Sequence, residues 1–242
     1  MKNSIVINKR INTFNKIIEV SGDKSISIRW VLFSSIAKGI SKAKNLLNSE
    51  DVNAALRAIK TLGIKYEQKK NVCKIYGKGV NGYKYRKNLI INAENSGTLG
   101  RIILGLVTNT SHPIKIIGDK SLSKRDFKRV TEPLTKFGIK FKLSKGKNLP
   151  LIIFGSQKLK SIKYIEKKGS AQCKSTVMLA ALNSRGQTII KAKKSRDHTE
   201  NIFNHLGIPI IVKKNKNFDI IKVKGQKEFK SFKYKSICST SS

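Results

Sequence analysis

Cysteine and long apolar runs are both scarce in this chain. The three cysteines among its 242 residues, Cys73, Cys173 and Cys238, lie far apart and form no Cys-x-x-Cys pair. This spacing argues against a disulfide framework and against a structural zinc site, and it fits a reduced cytoplasmic protein. Residues 1–20 contain no apolar run long enough for a signal peptide or a membrane span. The sequence therefore predicts an unexported cytoplasmic protein with no metal and no membrane partner.

Acidic residues are scarce as well. The chain has 14 Asp and Glu against 51 Lys and Arg, which gives a formal net charge of +37. Such an excess is typical of proteins that bind nucleic acid or membranes. Lysine is nevertheless scattered from end to end, and aromatic residues do not alternate with basic ones as a base-stacking surface requires. We therefore favour lysine enrichment of solvated faces and expect no nucleic-acid partner.

The sequence contains a repeat. Leu62-Gly63-Ile64, Phe137-Gly138-Ile139 and Leu206-Gly207-Ile208 each end an amphipathic stretch and begin a strand, and their glycines lie 75 and 69 residues apart. A nearly fixed period indicates an architecture built from copies of one unit. Each unit contains a helix, a strand, a second helix and two strands, and a further strand precedes the second and third units. The units span about residues 21–85, 86–156 and 157–230, which predicts an α/β or α+β domain.

The two helices of a unit differ in character. First helices are predicted over residues 25–37, 97–108 and 171–183, and those of the second and third units are apolar nearly all round, so they belong inside a core. Second helices, over 49–62, 125–137 and 196–206, belong to an outer layer, as the charged face of 125–137 shows. Strands are predicted over 40–47, 64–68, 71–76, 88–93, 114–118, 139–143, 149–154, 161–166, 187–191, 208–213 and 218–223.

Small or basic residues stand where each first helix begins. A helix N-terminus leaves backbone N–H groups unpaired and carries partial positive charge. Three such ends meeting on one face would form a receptor for phosphate and carboxylate groups. The segments are Asp23-Lys24-Ser25 with Arg29, Asn95-Ser96-Gly97-Thr98 with Arg101, and Gly169-Ser170-Ala171-Gln172 with Lys174.

Other motifs are weaker. Gly77, Gly79 and Gly82 match the Gly-x-Gly-x-x-Gly pattern, but no helix opens after them, so we interpret this stretch as a loop between units. Asp197 and Glu200 have the spacing of a capping box at the start of a helix. His198, in the same turn, is either a capping residue or a contact to a ligand.

Five segments, in order along nearly the whole chain, together carry a resemblance to a known family. They are Ser21-Gly22-Asp23-Lys24-Ser25-Ile26-Ser27-Ile28-Arg29, Asn95-Ser96-Gly97-Thr98, Gly118-Asp119-Lys120-Ser121-Leu122 running into Lys124-Arg125, Gly169-Ser170-Ala171-Gln172 with Lys174, and Ser195-Arg196-Asp197-His198-Thr199-Glu200. These segments are similar to the signature blocks of the 5-enolpyruvylshikimate-3-phosphate (EPSP) synthase family, the 3-phosphoshikimate 1-carboxyvinyltransferases. The related UDP-N-acetylglucosamine enolpyruvyl transferases share the fold, but their Lys-Asn opening block has no counterpart here.

The resemblance implies the enolpyruvyl transferase fold. In that fold two similar domains, each a pseudo-threefold assembly of βαβαββ units with buried helices, close on the substrates. The implied reaction transfers the enolpyruvyl group of phosphoenolpyruvate to the 5-hydroxyl of shikimate 3-phosphate and releases phosphate, on the route to chorismate and the aromatic amino acids. The resemblance implies no metal, no organic cofactor and a monomer.

The resemblance also implies roles for individual residues. Lys24 would contact both substrates and is the candidate catalytic residue. Gly97, Arg125 and Gln172 would receive phosphoenolpyruvate. The shikimate 3-phosphate ligands would be Lys24, Ser25, Arg29, Ser170, Gln172 and Arg196. Arg101 and Lys174 would only brace the site. Because both substrates are anions, permanently charged and bidentate arginine suits this task.

The chain departs from the family pattern in three places. Ser21 replaces the usual proline and Ile28 the usual histidine of the first block. The sequence ends roughly where the family's chain crosses into its second domain, which supplies the carboxylates that handle proton transfer. We therefore expect residues 1–20 to belong with that missing C-terminal domain, 21–235 to form the substrate-binding domain, and 236–242 to be a truncated crossover. We expect weak binding of shikimate 3-phosphate and negligible turnover by this chain alone.

Three rival interpretations stay open at this point. One is the UDP-N-acetylglucosamine enolpyruvyl transferase branch. Another is a basic nucleic-acid-binding module, for which affinity would fall steeply with salt and ignore small phosphorylated ligands. The last is a folded remnant without activity.

Overall fold

The chain folds as three copies of one motif, each made of two helices and a four-stranded sheet. The structure is a computed structural model that describes Val6, Asn8 and residues 21–225 and 227–235. Residues 1–20, expected to belong with the second domain, and residues 236–242, expected to form a truncated crossover, therefore lie outside the described residues, apart from Val6 and Asn8.

The elements follow the order predicted from the sequence. The first unit contains α1 (Lys24–Ile36), β1 (Lys38–Lys44), α2 (Glu50–Thr61), β2 (Lys65–Lys69) and β3 (Val72–Lys78). The second contains β4 (Leu89–Asn92), α3 (Gly97–Leu106), β5 (Ile114–Ile117), a 3₁₀ turn (Leu122–Lys124), α4 (Lys128–Thr135), β6 (Lys140–Ser144) and β7 (Asn148–Phe154). The third contains β8 (Lys163–Glu166), α5 (Ala171–Ala181), β9 (Gln187–Lys193), α6 (His198–His205), β10 (Ile210–Lys214) and β11 (Phe218–Lys224), and β12 (Lys233–Lys235) follows it.

The three sheets share one topology. Their strand orders are β12-β1-β3-β2, β4-β5-β7-β6 and β8-β9-β11-β10. In each sheet the first pair is parallel and the other two pairs are antiparallel. This common pattern confirms the pseudo-threefold βαβαββ architecture.

The sheet of the first unit takes its outer strand from the far end of the described chain. β12 pairs in parallel with β1, and Lys42 is the register partner of Lys233. Around this pairing, the Phe229 carbonyl accepts a hydrogen bond from the backbone N–H of Lys38, and Ser231 N–H donates to the Lys38 carbonyl. The sequence analysis found no first strand for this unit, because the strand lies after the third unit. Residues 229–235, called the return segment below, thus connect the end of the third unit to the sheet of the first.

The core lies between the sheets and is built around α1, α3 and α5. Ile103 and Met178 are fully buried, which confirms the predicted interior position of α3 and α5, and Phe33 shows that α1 is interior as well. Burial of one such side chain stabilises the fold by about 1.5–3 kcal/mol. A Cβ on Gly105 would lie 2.3 Å from the carbonyl oxygen of Thr176, so glycine lets α3 and α5 approach closely.

Two outer helices begin later than predicted. α4 starts at Lys128 instead of 125, since Arg125 is extended with φ −76° and ψ 151° after the 3₁₀ turn. The Asp126 carboxylate accepts a hydrogen bond of 2.7 Å from the backbone N–H of Lys128 and so marks the new start. α6 starts at His198 instead of 196. Both arginines therefore lie in loops that precede a helix.

Candidate functional site

The N-termini of the three buried helices are capped and face one pole of the domain. Asp23 accepts a hydrogen bond of 2.7 Å from the backbone N–H of Ile26. Ser96 and Ser170 cap α3 and α5 in the same way, each accepting at 3.3 Å from the third residue of its helix. A cap satisfies only some of the unpaired N–H groups at a helix start, and the partial positive charge persists. The pole is therefore suited to anions.

A cleft of about 440 Å³ opens at this pole. It brings together four of the residues predicted from the sequence, namely Lys24, Gly97, Arg125 and Gln172. Its other lining residues are Glu50, Asp51, Glu94, Asn95, Ser96 and Thr98. The start of the buried helix of each unit thus contributes to a single concave surface.

The three carboxylates of the cleft are residues that the sequence analysis missed. Asp51 lies 3.5 Å from the ammonium of Lys24, and Glu94 lies 2.7 Å from the guanidinium of Arg57. Glu50 and Asp51 lie in the first turn of α2, where the helix dipole stabilises acidic side chains. That position is the only sequence signal for Glu50 and Asp51, and it does not indicate a ligand site.

Two arginine side chains lie so close to Gly97 that a larger residue would contact them. A Cβ at this position would lie 3.0 Å from Nη1 of Arg125 and 3.3 Å from Nη1 of Arg101. The absence of a side chain therefore lets both guanidinium groups approach the start of α3. Arg125 is further held by a hydrogen bond of 3.3 Å from Nη2 to the Asn95 side chain.

Gln172 is oriented by hydrogen bonds at both ends of its amide. Oε1 accepts from Arg101 Nη1 at 2.7 Å, and Nε2 donates to Thr98 Oγ1 at 3.1 Å. Arg101 is 8% exposed and lies over the ring of Phe127 at 5.3 Å. Burial, followed by the charge of nearby Arg129, lowers the pKa of Arg101. Arg101 thus holds the side-chain amide of Gln172, and its bracing of a ligand site stays a prediction.

A larger cleft of about 550 Å³ lies at the opposite ends of the buried helices. Its lining is mostly neutral and includes Tyr83, Tyr85, Asn109 and Asn183. None of the residues predicted to bind ligand lines it. We place the candidate site in the smaller cleft, because that cleft joins the basic side chains to the helix N-termini.

Comparison with known proteins gives the same family as the sequence blocks. The family model described as EPSP synthase (3-phosphoshikimate 1-carboxyvinyltransferase) matches residues 8–241. The chain belongs to the EPSP synthase family. A 3-phosphoshikimate 1-carboxyvinyltransferase of Ruthia magnifica subsp. Calyptogena magnifica is 41% identical over 209 residues, which cover 86% of this chain and 48% of that protein. One of Streptococcus mutans is 38% identical and covers 78% of this chain and 45% of its own length.

A solved structure supports the fold of this EPSP synthase family member. The EPSP synthase from Acinetobacter baumannii superposes with a TM-score of 0.82 at 32% identity. The match covers 90% of this chain and 49% of the solved chain. The chain therefore spans about half the length of the relatives it matches, which fits one of the two domains of the fold.

The other predicted ligands of this EPSP synthase family member lie outside the lining of the 440 Å³ cleft. Arg29 is 3% exposed and donates to Thr199, Ser175 and the Ser25 carbonyl at 3.0 to 3.1 Å. A guanidinium has five N–H donors, so two remain for a ligand. Burial lowers the pKa of Arg29 to about 10, although the carboxylates of Glu200 and Asp23 oppose the change.

Ser170 and Arg196 have different surroundings. The Ser170 hydroxyl accepts the capping hydrogen bond of α5, and its backbone N–H donates to Glu166 at 3.0 Å. Arg196 is exposed in the loop before α6, close enough to Arg29 to lower the pKa of that residue further. Both residues remain predicted ligands of shikimate 3-phosphate.

The predicted capping box at α6 is wrong. The side chain of Asp197 makes no capping hydrogen bond and instead accepts from the Asn201 amide at 3.1 Å. Glu200 turns inward and lies 2.5 Å from the ammonium of Lys174, with exposures of 4% and 1%. Lys174 is thus an interior residue, and its bracing role stays a prediction.

The described part of the chain contains no group of three or more His, Cys, Asp and Glu side chains that could hold a metal ion. Among the described helices, none has the length and apolar character needed to cross a bilayer.

Proposed function

We propose that this chain is the substrate-binding half of a 3-phosphoshikimate 1-carboxyvinyltransferase. The observation that carries the proposal is the cleft in which Lys24, Gly97, Arg125 and Gln172 meet at the N-termini of buried helices. Phosphoenolpyruvate and shikimate 3-phosphate both carry negative charge, and this pole combines the basic side chains of Lys24 and Arg125 with helix N-termini, which favour anions.

The two substrates would occupy neighbouring parts of the pole. Phosphoenolpyruvate would bind at Gly97 and Arg125, where the open space above α3 admits an anion. Shikimate 3-phosphate would lie between α1, α5 and the loop before α6, with Ser25, Arg29, Ser170 and Arg196 as further ligands. Lys24 and Gln172 would touch both.

Catalysis in this arrangement would rest on positioning and charge stabilisation. The side chains of Lys24 and Arg125 would offset negative charge that develops on the departing phosphate. Proton transfer would fall to the carboxylates of the second domain, as the resemblance implies. This chain alone would therefore bind shikimate 3-phosphate weakly and show negligible turnover. The resemblance also supports a cytoplasmic monomer that uses no cofactor.

Calorimetric titration with shikimate 3-phosphate at physiological salt tests the proposal. Charge effects beyond about 8 Å are screened under that condition, and inorganic phosphate serves as the reference ligand. We expect saturable binding tighter than that of phosphate, weakened at least tenfold by Gln172→Ala. The matched control is Gln187→Ala, on an exposed position of β9. Equal affinity for phosphate and shikimate 3-phosphate would contradict the proposed substrate.

Steady phosphate release from the two substrates by the 242-residue chain would contradict the proposed negligible turnover. An affinity that falls steeply with salt and ignores both substrates would favour the nucleic-acid-binding module instead.

A further inference from the structure

A buried ion pair joins α5 to α6 beneath the candidate site. Lys174 comes from the second turn of α5, and Glu200 comes from the first turn of α6. The Lys174 ammonium lies 2.5 Å from Glu200 Oε1, and the two side chains are 1% and 4% exposed. Within the described part of the chain, Glu200 Oε2 has no hydrogen-bond partner. The pair is thus fully buried and incompletely satisfied.

A pair of this kind does little for stability. Two charges lose their hydration on burial, and an apolar pair of similar volume often leaves a protein equally stable or more stable. A carboxylate oxygen without a partner makes the balance worse. The pair therefore calls for an explanation other than stability, and its geometry suggests one.

A second buried link runs parallel to the pair. Thr199, next to Glu200, accepts a hydrogen bond of 3.0 Å from Arg29 Nε and lies 2.7 Å from the Ser175 hydroxyl. Ser175 in turn accepts from Arg29 Nη2 at 3.1 Å. Three helices, α1, α5 and α6, are thereby joined by polar contacts of defined geometry.

The loop before α6 depends on this junction for its position. In this loop, Asp197 pairs with Lys214 at 3.5 Å on the exposed surface. Exposed pairs of that length hold a loop weakly. α6 itself has only eight residues. The buried side chains of Thr199 and Glu200 therefore fix the first turn of α6, and Arg196 lies two residues before that turn.

We propose that Lys174 and Glu200 are positioning residues that fix the loop of Arg196 against the N-terminus of α5. The inference rests on the proposed function in that Arg196, Ser170 and Gln172 are taken as ligands of one phosphorylated substrate. The pair touches no substrate itself. The pair keeps Arg196, in the loop before α6, at a fixed distance from the ligands at the start of α5. An apolar contact would fix that distance less specifically.

The test replaces the pair by apolar residues of similar size, Lys174→Met with Glu200→Leu. The control is Lys128→Met with Glu132→Leu, which removes an equivalent pair from the exposed surface of α4. Hydrogen exchange of backbone amides is measured over residues 195–199 and, as an internal reference, over 97–106. Calorimetry with shikimate 3-phosphate and thermal unfolding are measured on the same samples.

We expect the interior double variant to remain folded and to exchange at least tenfold faster over 195–199, with 97–106 unchanged. Its affinity for shikimate 3-phosphate should fall at least tenfold, while the surface double variant matches the unsubstituted chain. If the interior variant does not fold, Glu200→Gln, which keeps the shape of the side chain, should still raise exchange over 195–199 at least threefold.

Unchanged exchange over 195–199 in the folded interior variant, or in Glu200→Gln where that variant is needed, would overturn the inference. The exchange measurement uses no ligand, so it decides the positioning role even if the unsubstituted chain fails to bind shikimate 3-phosphate. That failure would count against the proposed function alone.

Discussion

Substitution of Gly97 by alanine should separate ligand binding from stability. The new Cβ would stand 3.0 Å from Arg125 Nη1 and 3.3 Å from Arg101 Nη1, closer than such contacts normally come. Arg125 is exposed and has a flexible side chain, so it can move away at little cost to the fold. Gly97 is the first residue of α3, where the substitution changes helix stability by less than the roughly 1 kcal/mol that separates alanine from glycine in a helix interior, so stability should hold.

The loss should appear in anion affinity. A hydrogen bond to a charged group contributes about 1.5–3 kcal/mol, and each 1.4 kcal/mol corresponds to about a tenfold change in affinity. Displacement of one guanidinium contact therefore predicts a loss of about 10- to 150-fold. Calorimetry with phosphoenolpyruvate in the presence of shikimate 3-phosphate measures it, and thermal unfolding reports stability.

A second glycine of the same helix provides the control. At Gly105 a Cβ would meet the carbonyl oxygen of Thr176 at 2.3 Å, and neither backbone can yield without shifting α3 against α5. Gly105→Ala should therefore cost about 1–3 kcal/mol of unfolding free energy, as overpacked cores do. Gly97→Ala would refute the reasoning if it bound ligand within twofold of the unsubstituted chain, or if it lost as much stability as Gly105→Ala.

Three more predictions follow from contacts described above. Arg101→Lys removes the guanidinium that holds Gln172 Oε1, so calorimetry should show at least fivefold weaker substrate binding, and unchanged affinity would contradict the positioning role. Burial, reinforced by the charge of Arg29, lowers the pKa of His198, so the unfolded chain binds more protons than the folded one as pH falls below about 6.5. Stability should drop from pH 7.5 to 5.5, and urea unfolding of His198→Asn should show a smaller drop; an equal drop would exclude His198 as a source. Phe229→Ala, in the return segment that packs on α1, should cost about 3–5 kcal/mol in urea unfolding, and a cost below 1 kcal/mol would show that the segment is not anchored.

Local signals along the chain predicted most of the helices closely. The predicted bounds of α1, 25–37, differ by one residue at each end from the observed Lys24–Ile36. The agreement is close because Asp23 caps the start of the helix and the run of apolar residues stops at its end. α4 is the exception, since the polar residues around Arg125 have no apolar periodicity and the first turn depends on Asp126. β12 could not be foreseen, because three residues with two lysines are a strand only by virtue of pairing with β1.

The grouping of four candidate ligands could be predicted from the sequence, but some of the contacts around them could not. Lys24, Gly97, Arg125 and Gln172 were selected by motif, and the structure brings them into one cleft. The inward turn of Glu200 was missed, because its spacing from Asp197 fits an ordinary capping box. Only the packing of α6 on α5 shows that this carboxylate meets an ammonium instead of a backbone N–H.

The closure of the first sheet by β12 bears on how the domain is made. Ser41 accepts a hydrogen bond from the backbone N–H of Phe232, 191 positions later in the chain. At roughly 5–20 residues per second of synthesis, about 10–40 s separate the two residues. During that interval β1 offers an unpaired edge, and the surface of α1 that receives Phe229 stays uncovered. Contacts of such long range also slow folding after synthesis. The first unit is thus the first to be translated and the last to be completed, and it is the part of the domain with the longest exposure to aggregation and to chaperones.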